Sequence, residues 1–153
     1  MNMKIVSKEF GEFEVKDEDV IKFSRPIFCF EDKDSFVILK DSPEDDIMYL
    51  QSTDDEDLHF VIVDPYAILS KYEPQLSSDD IDALKIEKAE ISELRYMLIA
   101  IITENIENSV VNLKNPIVIN SKNKQAIQAM LENEDYIMRY PLFSNDKAGV
   151  SSC

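Results

Sequence analysis

Short β-branched runs separated by polar, turn-forming breaks set the pattern of this chain. Between Val110 and Asn120 the sequence reads Val-Val-Asn-Leu-Lys-Asn-Pro-Ile-Val-Ile-Asn, so Val110-Val111 and Ile117-Val118-Ile119 flank a break rich in turn residues. The pattern predicts strand, tight corner, strand. Pro116 has no amide hydrogen for a ladder, so it belongs at the first residue of the second strand and holds Asn115 towards an extended conformation. Asn112, Asn115, Pro116 and Asn120 are assigned to the fold, as turn formers and caps of this corner.

The same reading applies along the chain. Lys4 to Val6 and Glu12 to Val15 are short strands around Gly11, and Ser35 to Lys40, Ile47 to Gln51 and His59 to Val63 are three more, separated by acidic loops, one holding Pro43. Asp64-Pro65-Tyr66 ends the last of these runs. Ser77, followed by Ser78-Asp79-Asp80 and by Ile81 and Leu84 on one face, predicts one short helix. Leu94 to Thr103 is nearly continuous in apolar residues, which predicts a strand buried on both faces. Lys124 to Glu134 reads as helix by its Ala, Gln, Met and Leu content and as a returning strand by its length and position. The whole is an all-β, mostly antiparallel barrel or sandwich in one domain over residues 1–143, with residues 144–153 a disordered tail.

Charge then narrows the partners. With 31 acidic and 16 basic side chains the formal charge is −15, which disfavours direct contact with a phosphate backbone and favours a basic protein partner. Self-repulsion at that charge predicts a monomer when free. The longest apolar run, Tyr96 to Ile102, is far short of the ~20 residues a membrane helix needs. The N-terminus lacks an apolar signal core, and Cys29 and Cys153 have neither metal-ligand spacing nor disulfide density, so the chain reads as cytoplasmic.

No set of catalytic roles can be filled. His59 is the only histidine, and although Asp57 and Asp64 are near it in sequence, nothing resembles a nucleophile elbow. Two glycines in all, Gly11 and Gly149, leave no phosphate-cradling loop. The runs Glu44-Asp45-Asp46 and Asp54-Asp55-Glu56-Asp57 lack the alternating ligands and glycine of a calcium loop. The expectation is no enzyme, no metal and no cofactor. Phe23, Phe28, Phe30 and Phe36 are read as core, with exposure of Phe28 the observation that would turn them towards an interface.

Val111-Asn112-Leu113 followed by Asn115-Pro116-Ile117-Val118-Ile119-Asn120 resembles a stretch of the flagellar assembly factor FliW family. Leu50-Gln51-Ser52, Phe60 to Tyr66, Tyr72-Glu73, Gln125, Tyr136, Arg139 and Pro141-Leu142 follow in that family's order, so the likeness runs from about Lys4 to Leu142. The resemblance implies a β-barrel-like fold and a strand over Lys124 to Leu131. It also implies a non-enzymatic protein that binds flagellin and, when free of it, binds the RNA-binding translational regulator CsrA, relieving repression of flagellin translation. Charge alone suggests an RNA mimic, whereas the resemblance implies allosteric antagonism. One departure stands out, at Phe23 to Glu31, where Pro26 and Cys29 replace family glycines and Phe28 a proline, so a different loop path is expected. The candidate contacts are Phe28 and Glu31 in that loop, with Asp54, Asp55, Glu56 and Asp57. An acidic protein-binding module of unrelated purpose is the alternative.

Overall fold

The structure is a computed structural model and describes residues 2–8, 10–40 and 47–143. Pro43, the carboxylates Glu44, Asp45 and Asp46, Cys153 and the tail over 144–153 lie outside the described residues. Gly11 has a φ of +72°, which an L side chain rarely adopts, and it pairs with Ser7 where the first hairpin closes. That hairpin, β1 (Asn2–Ser7) and β2 (Gly11–Lys16), is a small sheet of its own. It leans on the main body through the Lys8 amide, which donates to the Glu56 carbonyl at 3.0 Å, and through Phe10 against Tyr49.

Every β-rich run named above forms a strand, and one more, β3 (Ile21–Arg25), was not expected from the sequence; β3, β4 (Ser35–Leu39), β5 (Ile47–Ser52), β6 (His59–Val63) and β7 (Leu94–Ile101) pair antiparallel in succession. The corner stretch supplies β8 (Val110–Val111) and β9 (Ile117–Asn120), which lie along the same edge of β7, one against each half. Asn112 to Pro116 is where the chain leaves that edge and rejoins it. Pro116 falls one residue before β9, and its carbonyl accepts from the Ala129 amide at 2.9 Å. The ambiguous segment is a strand, β10 (Gln125–Gln128), antiparallel to β9 and parallel to β3. These two pairings close a barrel of seven strands in the order β7, β6, β5, β4, β3, β10, β9 and back to β7. A short β11 (Tyr140–Pro141) extends the sheet beyond β8.

Alternation along β7, β9 and β10 sends side chains into two cores. Met97, Ile117, Ile119 and Ala126 point into the barrel with Phe36, Leu50 and Ile62. Their neighbours Leu98, Val118 and Ile127 face outward, under Tyr72, Leu84, Leu113 and Leu131. That is why β7 reads as a nearly continuous apolar run. Leu98 is fully buried, and truncating it to alanine is worth about 2–5 kcal/mol.

The outer layer carries the helix α2 (Ser78–Leu84), capped by Ser77, whose Oγ accepts the Asp80 amide at 3.1 Å. Its last carbonyl, on buried Leu84, accepts from the Asn120 side chain at 3.0 Å, so the caps assigned to the corner also fasten the helix. A single helical turn, α1 (Pro65–Ile68), is an addition to the expected elements. Asp64 and Pro65 end β6 as expected and also start this turn, with Asp64 Oδ1 accepting the Tyr66 amide at 2.9 Å.

Candidate partner-binding face

At one end of the barrel β3 leads into β4 through residues 26–34, and β5 leads into β6 through residues 53–58. The second loop is organised from beneath. Buried Gln51 donates from Nε2 to the carbonyls of Ser52, Asp55 and Leu58 at 3.0–3.1 Å. Buried Ser52 accepts the amides of Asp54 and Asp55 at 3.2 Å and donates from Oγ to Asp54 Oδ1 at 2.8 Å. With the backbone groups satisfied from inside, the carboxylates of Asp54, Glu56 and Asp57 are left exposed, while Asp55 is half-buried and caps the Asp57 amide at 3.0 Å.

The first loop is a tight turn between two apolar anchors. Ile27 is buried, Phe30 packs edge-on against Phe60, and the Phe30 amide donates to the Ile27 carbonyl at 2.9 Å. Cys29 has φ +74°, the conformation glycine or asparagine favours at the third position of such a turn. Cys29 therefore carries a side chain on a left-handed backbone. Phe28, between the anchors, is 52% exposed, and its amide donates to Gln128 Oε1 at 3.0 Å. Lys33 approaches Asp54 at 4.0 Å, so the two loops lie side by side. Phe28, Glu31 and the 54–57 carboxylates thus share one end of the barrel, with Glu31 exposed.

The aromatic group divides. Phe23 and Phe36 belong to the barrel core and Phe30 is half-buried, whereas exposure of Phe28 departs from the core reading. The turn explains it, because its central residue projects away from the two anchors. His59, in β6, packs beside Tyr49 of β5, and Asp57 and Asp64 lie beyond opposite ends of β6. No group of three or more acidic, histidine or cysteine side chains that could hold a metal occurs among the described residues.

Two features escaped the sequence reading. Ile101, Ile102, Ile106, Met130, Ile137 and Met138 are all exposed, mostly towards the end of the barrel where β7 finishes and β8 begins. Ile101 continues the run that buries Leu98, and nothing in its residue type distinguishes the two. The other is Asp80, which is buried and paired through Oδ1 with Arg25 at 2.7 Å across the α2–β3 contact. Nearby, the Tyr72 hydroxyl donates to the Leu113 carbonyl at 2.9 Å while its ring stacks on Tyr136, and burial pushes its ionisation well above the usual phenol range. Burial first, then Tyr66 and Asp80, pushes Tyr96 up to about 12.

Fold and surface describe a small closed β-barrel that carries its distinctive side chains on loops rather than gathering them in a cavity. The family model described as FliW protein matches residues 4–142, and the chain belongs to that family. It is 37% identical over 151 residues to the flagellar assembly factor FliW of Thermoanaerobacter pseudethanolicus, covering 98% of this chain and 99% of the relative. It is 38% identical over 141 residues to that of Caldicellulosiruptor bescii, covering 92% and 91%. A crystal structure of the flagellar assembly factor FliW superposes with a TM-score of 0.83 at 27% identity, covering 93% of this chain and 98% of that one. The barrel is therefore the family's fold, and the strand over Gln125–Gln128 agrees with what the resemblance implied.

Proposed function

We propose that this chain is a non-enzymatic partner switch of the cytoplasm, which binds flagellin and, when free of it, binds CsrA and antagonises it allosterically, so that flagellin translation is no longer repressed. The observation that carries the reading is the 53–58 loop, whose backbone is satisfied by Gln51 and Ser52 so that a fixed set of carboxylates faces outward. An RNA-binding regulator needs a basic surface to hold phosphates, and a rigid acidic face on a chain of charge −15 is its electrostatic complement. Phe28 and Glu31 on the adjoining turn supply an apolar and an acidic contact on the same face. Family membership supports the flagellar setting.

Calorimetry of the protein against flagellin, and separately against CsrA, at low and moderate salt tests the reading. Binding to both, with each displacing the other, is the expected result. No binding to either overturns it in favour of an acidic module of unrelated purpose. Titrating RNA into the complex with CsrA separates the two forms of antagonism, since an allosteric antagonist still lowers affinity for RNA at saturation and a mimic is simply outcompeted.

A further inference from the structure

At the end of the barrel opposite the acidic loops, where β3 begins and β4 and β9 finish, lies a cavity of about 230 Å³. Its floor is apolar, made by Ile21, Ile38 and Ile119 of the barrel core. Above that floor the lining turns polar. Arg95 stands two residues before Met97 on the same face of β7, and its guanidinium reaches the core residue Met48, with Nη2 donating to the sulfur at 3.6 Å. The β7–β9 register sets Arg95 opposite Ile119, so Ser121 and Lys124, in the turn that follows β9, line the same cavity.

Two observations single out the cations. On a chain of charge −15 this cavity sets Arg95 and Lys124 against one carboxylate, Asp19, and among the described residues neither cation is in an ion pair. The sulfur that Arg95 meets is a weak acceptor, which leaves most of its donor fork for a ligand. Lys124 has a φ of +59°, fixed by its amide on the Asn120 carbonyl and by its carbonyl under the Lys22 amide, both at 2.9 Å. Glycine adopts that backbone without strain, so the turn itself gives no reason for a side chain there.

The lining selects the ligand. An arginine fork matches the two oxygens of a carboxylate, and a lysine adds a point charge. The isoleucine floor calls for hydrocarbon, and Asp19 opposes a second negative charge, which sets phosphate dianions apart. The volume lies below the ~300–1,000 Å³ of drug-sized pockets, so the hydrocarbon is short. We infer that this cavity binds a monocarboxylate with a short aliphatic body, its carboxylate held by Arg95 and Lys124 and its chain laid on Ile21, Ile38 and Ile119. This site is separate from the partner-binding face and stands independently of the proposed function.

The test titrates hexanoate into the isotope-labelled full chain and follows the amide shifts of Arg95, Ser121 and Lys124. Saturable shifts with a Kd of about 1 mM are expected. Lys124→Gly removes the ammonium from a backbone that favours glycine, so the variant folds, and it should weaken binding at least about fivefold, as should Arg95→Gln. Lys85→Gly is the matched control, since it removes the same charge from another left-handed residue, φ +54°, outside the cavity, and binding should be unchanged. Hexanol, without the carboxylate, should not bind. Absence of saturable shifts, equal binding by Lys124→Gly or Arg95→Gln, an equal response to hexanol, or tighter binding of inorganic phosphate overturns the inference. Acetyl-glycyl-leucine with a free carboxylate separates the two sources of such a group: tighter binding than hexanoate supports the site as one for a chain terminus, and weaker binding supports it as one for a free acid.

Discussion

Gln128 Oε1 accepts the amide of Phe28 at 3.0 Å, joining residues one hundred positions apart, while Gln128 Nε2 reaches the Asn115 carbonyl at 3.4 Å. One buried side chain at the end of β10 thereby holds both the Phe28 turn and the β8–β9 corner. Gln128→Ala leaves a part-buried amide and a buried carbonyl without these partners, at a cost of about 1–3 kcal/mol. Urea denaturation reads that cost, and hydrogen exchange at Phe28 is expected to accelerate. Unchanged exchange there would show that the bond does not hold the turn.

The Arg25–Asp80 pair predicts an asymmetry. Arg25→Met strands a buried carboxylate whose Oδ2 already lacks a hydrogen-bond partner, and costs about 3 kcal/mol, the low end for breaking a buried pair because the Arg25 side chain is 37% exposed. Asp80→Asn leaves an arginine that can reach water and costs about 1–2 kcal/mol. Chemical denaturation of the two variants compares them, and an equal or larger loss for Asp80→Asn contradicts the explanation.

Tyr72 and Tyr96 make the fold sensitive to alkali. Both ionise above the ordinary value of 10.0 in the folded state, Tyr96 at about 12 and Tyr72 higher, so the unfolded chain loses these protons first. Their contribution is fully present below pH 10 and is lost as pH rises through the folded values. The melting temperature should be level in this respect up to pH 10 and fall beyond it. Tyr72→Phe should flatten that fall while costing about 1 kcal/mol at neutral pH through the lost bond to Leu113.

Cys29 holds a left-handed backbone that costs a residue with a Cβ about 1–2 kcal/mol. Cys29→Gly removes that strain and gives back part of the gain as unfolded-state entropy, for a net stabilisation of up to about 1 kcal/mol. A rise of about 2–4 °C in Tm is expected on calorimetric scanning. A fall would mean that the thiol makes a contact more valuable than the strain it imposes.

Neutralising the outward carboxylates with Asp54→Asn, Glu56→Gln and Asp57→Asn retains the acceptor for Ser52 and removes three charges. Association with CsrA should slow by about tenfold at low salt and depend less on salt, with little change in stability. Stopped-flow mixing across a salt series measures both. An unaltered rate would place the regulator on another face.

Most of the strands, the Ser77 cap and the Asn112–Asn120 corner were legible in the sequence because each rests on chemistry within a few residues. A β-branched run prefers a pleated surface, Ser77 satisfies the Asp80 amide three residues on, and Asn112 Oδ1 accepts the Lys114 and Asn115 amides. The short turn at Pro65 was missed, because Asp64-Pro65 reads as a strand end although the same pair also starts a helix. Tertiary structure alone decided the rest. Residues 125–128 have helical propensity, a weak preference that is overridden when β9 and β3 offer ladder partners on both edges, and that double pairing closes the barrel. The candidate face divides in the same way: the carboxylates were visible as composition, but the exposure of Phe28, Ile101 and Met138 was not. Burial of an apolar side chain depends on what comes to lie beside it, and the turn that exposes the Phe28 ring is held through its amide by Gln128, one hundred residues further along the chain.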